Sequence, residues 1–150
     1  MIWMKILTTK EILENGINIE DMDIIGATYQ YIDPKTNQPY NGLGYYLGRN
    51  NHIQSYCYFS NGVQHGECVE FYKNGNPSEW YNVDKGIGHG EFKQWYEDGS
   101  LKIEGYRESS AVVRFKAYDK DGNLTDEKSG LTDQEKKFIK SITGEEANEK

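Results

Sequence analysis

The chain of 150 residues is long enough for one domain or a short repeat array, and its 24 acids against 17 bases leave a net charge of −7. Lys and Arg are concentrated in no segment, which argues against direct binding of nucleic acid or of an anionic membrane. An acidic surface instead favours a basic protein partner, and 12 Tyr, 5 Phe and 3 Trp supply large side chains for a core or an interface.

The N-terminal segment, residues 1–28, precedes any repeated pattern. Thr9–Asn15 is predicted to form a short helix, with Thr8 or Thr9 as N-cap and Gly16 at its end. The segment lacks the charged start and long apolar run of a secretory signal, and no stretch of the chain approaches the ~20 apolar residues that cross a bilayer. We therefore expect a soluble cytoplasmic protein in which Cys57 and Cys68 are reduced, buried thiols.

Residues 40–125 repeat with a period of 24. The segment 64–67 (Gln-His-Gly-Glu) returns as 88–91 (Gly-His-Gly-Glu), and 71–75 returns as 95–99 with its aromatic pair and its Gly kept. A weaker copy begins at Tyr40, and another ends at Gly122 with spacings of 22 and 23. Four units are thus predicted, and the outer two are degenerate, as the end units of arrays tend to be.

Each unit is interpreted as a β-hairpin with arms of five to seven residues. Asn-Gly and Asp-Gly between runs of aromatic residues are a strong hairpin signal, because both central residues of a type I′ turn need φ > 0. With Tyr29–Ile32 as a leading strand and 33–39 as a loop, residues 29–125 form the hairpin array. The predicted fold class is therefore mainly β, an antiparallel meander of tandem hairpins with a short helix at each end.

The C-terminal helix is predicted over residues 131–143. Thr132-Asp133-Gln134-Glu135 is a capping-box pattern, and Phe138, Ile139 and Ile142 form an apolar stripe. The tail, residues 144–150, is polar and expected to fray. The whole chain, 1–150, is one domain in this interpretation.

His-Gly-Glu followed by Tyr and then by Asn-Gly or Asp-Gly, at a period of 23 or 24, resembles the MORN repeat. The lead-in 33–42 (Asp-Pro-Lys-Thr-Asn-Gln-Pro-Tyr-Asn-Gly) is similar to the MORN-like variant of bacterial antitoxin and immunity proteins. The likeness covers about residues 29–125, although the first unit has Tyr-Asn-Gly-Leu at 40–43 and the fourth has lost its Gly. It implies a hairpin array that serves as a scaffold, a membrane-proximal module or a toxin inhibitor.

Alternation along the hairpin arms separates the predicted sheet into two faces. The more apolar one, called here the first face, is expected to be packed, partly under the C-terminal helix; it carries Leu47, Phe71, Trp95 and Ala117 beside Tyr45, Val69, Lys93 and Phe115. The second face is expected to be wetter; it carries Tyr72, Tyr96 and Tyr118, flanked by Tyr46, Glu70, Gln94 and Lys116. The second arms place Tyr56, Trp80 and Glu104 in one register and Cys57, Tyr81 and Gly105 in the next.

The repeated His-Gly-Glu could suggest a metal or acid–base site, but its geometry does not support one. Equivalent residues lie two strands apart, about 9–10 Å, which is too far for two imidazoles to share one zinc ion. We interpret the motif as shaping the start of each hairpin. Neither Cys has a local catalytic signature, and the glycines lie in turns and not in a phosphate loop. The sequence predicts no catalytic residue, no metal and no cofactor, hence no enzyme.

The resemblance implies an immunity protein that binds and neutralises a cognate toxin domain, such as a basic nuclease of contact-dependent growth inhibition, by direct occlusion. Tyr and Trp side chains offer an interface a large rigid surface while their polar atom stays in contact with water. Acidic side chains attract the basic cleft of a partner and guide its association. The candidate contacts are Tyr72, Trp80, Tyr81, Tyr96, Glu70, Glu79, Asp84 and Glu104. The alternative is a MORN-repeat scaffold or membrane-proximal interaction module. No direct contact with nucleic acid, membrane or a small-molecule substrate is expected.

Overall fold

The structure, a computed structural model, describes residues 4–147. Helix α1 is Thr9–Asn15, helix α2 is Asp133–Thr143, and Ile19–Asp21 is a single 3-10 turn. Arg49–Asn51 is a turn in which Asn50 and Asn51 have positive φ. The strands are β1 Gly16–Asn18, β2 Asp23–Ile25, β3 Gln30–Ile32, β4 Gly42–Leu47, β5 Ile53–Ser60, β6 Val63–Phe71, β7 Pro77–Asp84, β8 Ile87–Trp95, β9 Leu101–Glu108, β10 Ala111–Tyr118 and β11 Leu124–Ser129.

Strands β4 to β11 form one antiparallel meander in chain order, and β1 joins its edge in parallel to β4. The predicted mainly β fold with a short helix at each end is thereby confirmed. Strands β5 to β10 have eight or nine residues, longer than the five to seven predicted. Strands β2 and β3 form a separate two-stranded hairpin.

Two kinds of turn alternate along the array. At one edge, two-residue turns have both residues at positive φ, as at Asn61 (51°) and Gly62 (78°), which is the type I′ geometry that fits the right-handed twist of a hairpin. At the opposite edge, longer turns close from Tyr72 N to Asn76 O at 2.8 Å and from Tyr96 N to Ser100 O at 2.9 Å. One 24-residue repeat therefore contains one turn of each kind.

The fourth unit is one residue shorter, and this corrects the predicted faces. Lys116, and not Phe115, lies opposite Glu104, which in turn lies opposite Lys93. The predicted faces assumed a spacing of 22 residues between the third and fourth repeats. The strand register shows a spacing of 23, because a single residue, Val113, stands where the other repeats have the His-Gly pair. A slip of one residue moves each side chain to the other face. Phe115, Ala117 and Lys116 were thus assigned to the wrong faces, and Tyr118 continues the Phe71–Trp95 column.

The first face is packed beneath the N-terminal segment. Ile12, 1% exposed, joins Tyr56, Val69 and Trp80 in one cluster, against which Met4, Ile6 and Leu7 pack. The Tyr56 hydroxyl accepts a hydrogen bond from Leu7 N at 3.1 Å, and burial raises the pKa of Tyr56 to about 12. The expected packing of the first face is thus confirmed over β4–β7, where the N-terminal segment supplies the cover; the C-terminal helix packs further along the array, beside Tyr106.

The second face of β4–β7 is also packed, which the sequence did not predict. Residues 17–40 fold back across it, so that Met22 and Tyr40 meet Phe59 and Val83 in a second cluster. Cys57 and Cys68 lie opposite each other on β5 and β6 within this cluster and form a disulfide bond. The prediction of reduced thiols was therefore wrong. Direct pairing on neighbouring strands brings the two Cα atoms to 4.2 Å.

Helix α2 caps the far end of the array. Its predicted capping box is confirmed: Glu135 N donates to Thr132 Oγ1 at 3.2 Å, and Thr132 N donates to Glu135 Oε2 at 2.8 Å. Ile139 is buried against Val113 and Leu131 on its inner side. The predicted frayed tail, residues 144–150, lies partly outside the described residues. Neither helix of the described chain has the length and apolar character to cross a membrane.

Candidate interaction surface

The second half of the sheet, strands β8 to β11 and called here the open half, is covered less than β4–β7, although helix α2 packs against it at Val113, beside Tyr106 and Ala111. Among its residues, all of which the structure describes, Phe92 and Val113 alone are buried, whereas β5 and β6 together bury six side chains. Neither of the two clusters that cover β4–β7 extends beyond Trp95. The open half is therefore the part of the sheet with the most accessible side chains.

The first face of this open half carries a row of alternating charges. Trp80 lies opposite Lys93, and the row continues through Glu104, Lys116 and Glu127, one residue from each successive strand. Opposite charges directly across neighbouring strands stabilise a sheet by about 0.2–1 kcal/mol per pair. A groove of about 550 Å³ runs over this row, and it is lined by Met4, Trp80, Glu91, Lys93, Glu104, Arg114, Lys116 and Glu127 among others.

The second face carries an acidic patch, defined here as Glu70, Glu79 and Tyr81. Glu70 and Glu79 lie opposite each other on β6 and β7, and Tyr81 follows two residues further on the same face, where it borders the second-face cluster and leaves Glu70 exposed beyond it. Partial burial, followed by the charge of Glu79, raises the pKa of Glu70. Burial and the same two carboxylates raise the pKa of Tyr81 to about 12, so its hydroxyl stays protonated. The patch therefore combines two neighbouring carboxyl groups with one hydrogen-bond donor, the Tyr81 hydroxyl.

Arg107 neutralises one of the two carboxylates of this patch, that of Glu79. Its guanidinium lies 3.1 Å from Glu79 Oε1 and stacks 4.1 Å from the centre of the Phe92 ring. Phe92 can take this position because Gly105 lies beneath it: a Cβ there would come within 2.8 Å of the ring and 2.5 Å of a backbone oxygen. Glu70 makes no ion pair with any cation among residues 4–147. No local motif identifies Arg107 in the sequence, because its contact to Glu79 spans strand β8.

Two of the predicted aromatic contacts hold the repeats together. The Tyr72 hydroxyl donates to Trp95 O at 2.7 Å, and the Tyr96 hydroxyl donates to Tyr118 O at 2.9 Å. Each bond joins one repeat to the next, since donor and acceptor are 23 and 22 residues apart. Both rings are half-buried at the turn edge, and Lys102 is one of two lysines over the Tyr96 ring. These two tyrosines lie apart from the acidic patch.

The remaining three candidates are also dispersed. Trp80, 3% exposed, belongs to the first-face cluster and donates from Nε1 to Glu67 Oε2 at 3.2 Å. Glu104 lies in the charged row and accepts from the Tyr118 hydroxyl at 2.8 Å. Asp84 ends β7 at the two-residue turn edge. Of the eight candidates, the structure therefore brings together Glu70, Glu79 and Tyr81.

The His-Gly-Glu motif makes the same contact between neighbouring strands in both central units. Nδ1 of His65 lies 3.3 Å from Asp84, and Nδ1 of His89 lies 3.3 Å from Glu108, so each histidine faces the acid 19 residues further on. The glycine that follows each histidine has a φ above +100°, a conformation that residues with a side chain rarely adopt. These contacts join neighbouring strands near the turn edge.

Glu70 offers a test of the acidic patch without any partner. Its pKa is raised above 4.5, so the ionised form destabilises the fold, and stability is lost as pH rises from about 4.5 through the folded-state pKa. Glu70→Gln is therefore expected to raise the free energy of unfolding at pH 7, by less than about 1 kcal/mol because the side chain is exposed and solvent screens its charge, and to have no effect near pH 4. Urea unfolding at both pH values measures this, with Glu97→Gln in an exposed turn as control. A loss of stability at pH 7 would contradict the like-charge interaction.

The family model of the MORN repeat variant matches residues 64–79 and 88–108. These stretches contain β6 and the start of β7, then β8 and β9, so the predicted MORN-like repeats are confirmed there. No curated protein and no solved structure matches the chain. The match covers the two central repeats, and an array of MORN-like repeats is suited to a scaffold or to protein interaction. The resemblance to immunity proteins stays a prediction.

Proposed function

We propose that this protein is an immunity protein that binds a cognate toxin domain and blocks it by direct occlusion. The observation that supports the proposal is the open half of the sheet, whose second face adjoins the acidic patch of Glu70, Glu79 and Tyr81. A basic cleft, such as that of a nuclease toxin, would neutralise these carboxylates, one of which makes no ion pair with a described cation. Charge complementarity of this kind raises the rate of association and suppresses wrong partners.

In this proposal the protein acts by binding alone, in the cytoplasm, without cofactor or catalysis. Tyr81 supplies a rigid ring with a protonated hydroxyl beside the carboxylates. Such aromatic groups carry much of the binding energy of interfaces, while charges on the rim act mainly on the association rate. Trp80 is too deeply buried to offer much surface to a partner, so its part in binding would be to hold Tyr81 and Glu79 in place.

The proposal is tested by co-expression with the protein encoded by the adjacent gene. Rescue of growth, together with co-purification of a stable complex, is the expected result. Toxicity without rescue would contradict the immunity role. The adjacent protein alone and an unrelated immunity protein serve as controls, so that a general effect of expression is separated from neutralisation.

Charge reversal at the acidic patch is expected to slow association with the toxin. Glu70→Lys changes the local charge by two without breaking the Glu79–Arg107 pair. At low ionic strength the association rate should fall about tenfold and its salt dependence should weaken. Stopped-flow measurement at two salt concentrations checks this, with Glu145→Lys, at an exposed residue just beyond helix α2, as a matched charge change. Equal rates for both variants would exclude the patch from the interface.

A MORN-repeat scaffold at a membrane surface is the second candidate, favoured by the repeats themselves. It predicts binding to anionic vesicles, for which a net charge of −7 is unfavourable. Co-sedimentation with phosphatidylserine vesicles, compared with neutral vesicles, distinguishes the two candidates. Sedimentation with the anionic vesicles at physiological salt would favour the membrane module over the immunity protein.

A further inference from the structure

The β2–β3 hairpin ends in an exposed apolar tip. All residues from 23 to 29 are exposed, and among them Ile24 is 52% exposed, Ile25 44% and Tyr29 78%. Single exposed apolar residues are ordinary on protein surfaces, but three large ones within six positions at one tip are not. None of the three belongs to a hydrophobic cluster of the described chain.

The base of this hairpin is held firmly to the repeat array. Tyr31 N donates to Gly62 O at 2.8 Å, and Gln30 Nε2 donates to Asn61 O at 2.9 Å. The Tyr31 ring packs edge-on against Phe59 with ring centres 5.3 Å apart. The contact at Gly62 is close, because a Cβ there would lie 2.7 Å from Tyr31 O. The tip therefore projects from a fixed support, and a fixed binding element loses little conformational entropy on association.

Tyr29 itself is held in an unusual backbone conformation. Its φ is +54°, in the left-handed region that bulky residues rarely adopt, and its amide donates to Ile25 O at 2.7 Å. Glycine would adopt this φ without cost. A tyrosine with 78% of its surface exposed contributes little to folding here, so its presence at this position points to a contact outside the chain.

The segment that carries the tip is acidic. Residues 11–34 contain six acids and no base, and Glu20, Asp21 and Asp23 are exposed beside the tip. We infer that the tip of the β2–β3 hairpin inserts into an apolar pocket of a partner protein, and that Lys or Arg side chains border this pocket. The inference shares with the proposed function only the existence of a protein partner.

Other occupants fit the tip less well. An anionic membrane would take up the apolar side chains but would be repelled by the three acids beside them. A second copy of this chain would offer the groove over the charged row, where Glu91, Glu104 and Glu127 alternate with the bases and would repel the acids beside the tip. A partner with its own basic rim satisfies both the apolar and the charged parts of the tip.

Photocrosslinking in the native host tests this inference. Benzoylphenylalanine is placed at position 29 and, as a control, at position 124, where Leu124 is 51% exposed on the opposite edge strand. The expected result is a protein adduct specific to position 29, whose crosslinked peptide contains apolar residues within a segment bordered by Lys or Arg. An adduct with lipid, an adduct with a second copy of this chain, or equal labelling at both positions would overturn the inference.

The dissociation constant for the crosslinked partner gives a second test, in which the melting temperature of each variant checks that it is folded. Tyr29→Gly relieves the unfavourable φ, so the melting temperature should stay equal or rise, while the dissociation constant should increase at least tenfold. Ile24→Ser should act in the same direction, and Leu124→Ser, matched in exposure, should change it less than twofold. An unchanged dissociation constant for Tyr29→Gly would overturn the inference. Failure of growth rescue, with these effects present, would contradict the immunity role alone.

Discussion

Truncation of Trp80 to alanine is expected to lower the free energy of unfolding by about 3–5 kcal/mol, the range for large aromatic side chains in a core. Trp80 is 3% exposed and lies between Val69 and Lys93 in the cross-strand row, with Ile12 in the same cluster above it. The loss combines the apolar surface returned to water with a cavity that the sheet cannot close. The variant also leaves Glu67 without its indole donor.

Urea denaturation followed by circular dichroism measures this loss. Tyr46→Ala serves as the matched control, because Tyr46 is an aromatic residue of the same sheet with a 37% exposed side chain, and its truncation should cost about 1 kcal/mol or less. A third variant, Trp80→Phe, separates folding from binding. It should retain most of the stability and most of the affinity for the partner. A large loss of affinity in a fully folded Trp80→Phe variant would show that the indole contacts the partner directly.

Removal of the Cys57–Cys68 disulfide is expected to cost about 3 kcal/mol. The bond closes a loop of 11 residues, and the chain-entropy relation gives this value for a loop of that length. Cys57→Ala with Cys68→Ala removes the bond without leaving an unpaired thiol, although small cavities in the second-face cluster add to the loss. Reduction of the wild-type protein should destabilise it by a similar amount.

Burial of the two sulfurs decides when this bond can be reduced. Cys57 is 5% exposed and Cys68 is fully buried, so a reductant reaches them only after the hairpin opens. Maleimide labelling after treatment with dithiothreitol should be slow in buffer and fast in urea. Rapid labelling in buffer would contradict a buried bond. The result bears on the proposed cytoplasmic location, since cytoplasmic thiol systems keep accessible cysteines reduced.

The repeat was readable from the sequence because turn chemistry is local. Asn61-Gly62 and Lys85-Gly86 mark turns that need positive φ, and the aromatic residues between turns alternate as strands require. Thr132 and Glu135 identify the start of α2 for the same reason, since a capping box involves four consecutive residues. The register of the fourth unit was not readable, because the loss of one residue at Val113 changes the face of each later side chain and no local signal records it.

The candidate contacts show the same division. Their residue types were apparent in the sequence, but the strand register decided that Glu70, Glu79 and Tyr81 share one face, while Trp80 is buried on the other. The pairing of Glu79 with Arg107 connects residues 28 positions apart across an intervening strand. No pattern of local spacing contains such a contact.

The sequence by itself determined the MORN-like hairpin array, both terminal helices and the acidic charge, because these follow from turns, caps and composition. The tertiary structure alone decided which faces are covered. Residues 4–12 pack on the first face of β4–β7 and residues 17–40 on the second, which leaves β8–β11 open and projects the β2–β3 tip. The physical reason is that non-repeating segments carry no periodic signal, and their apolar side chains find their place only when the assembled sheet offers a surface to bury them.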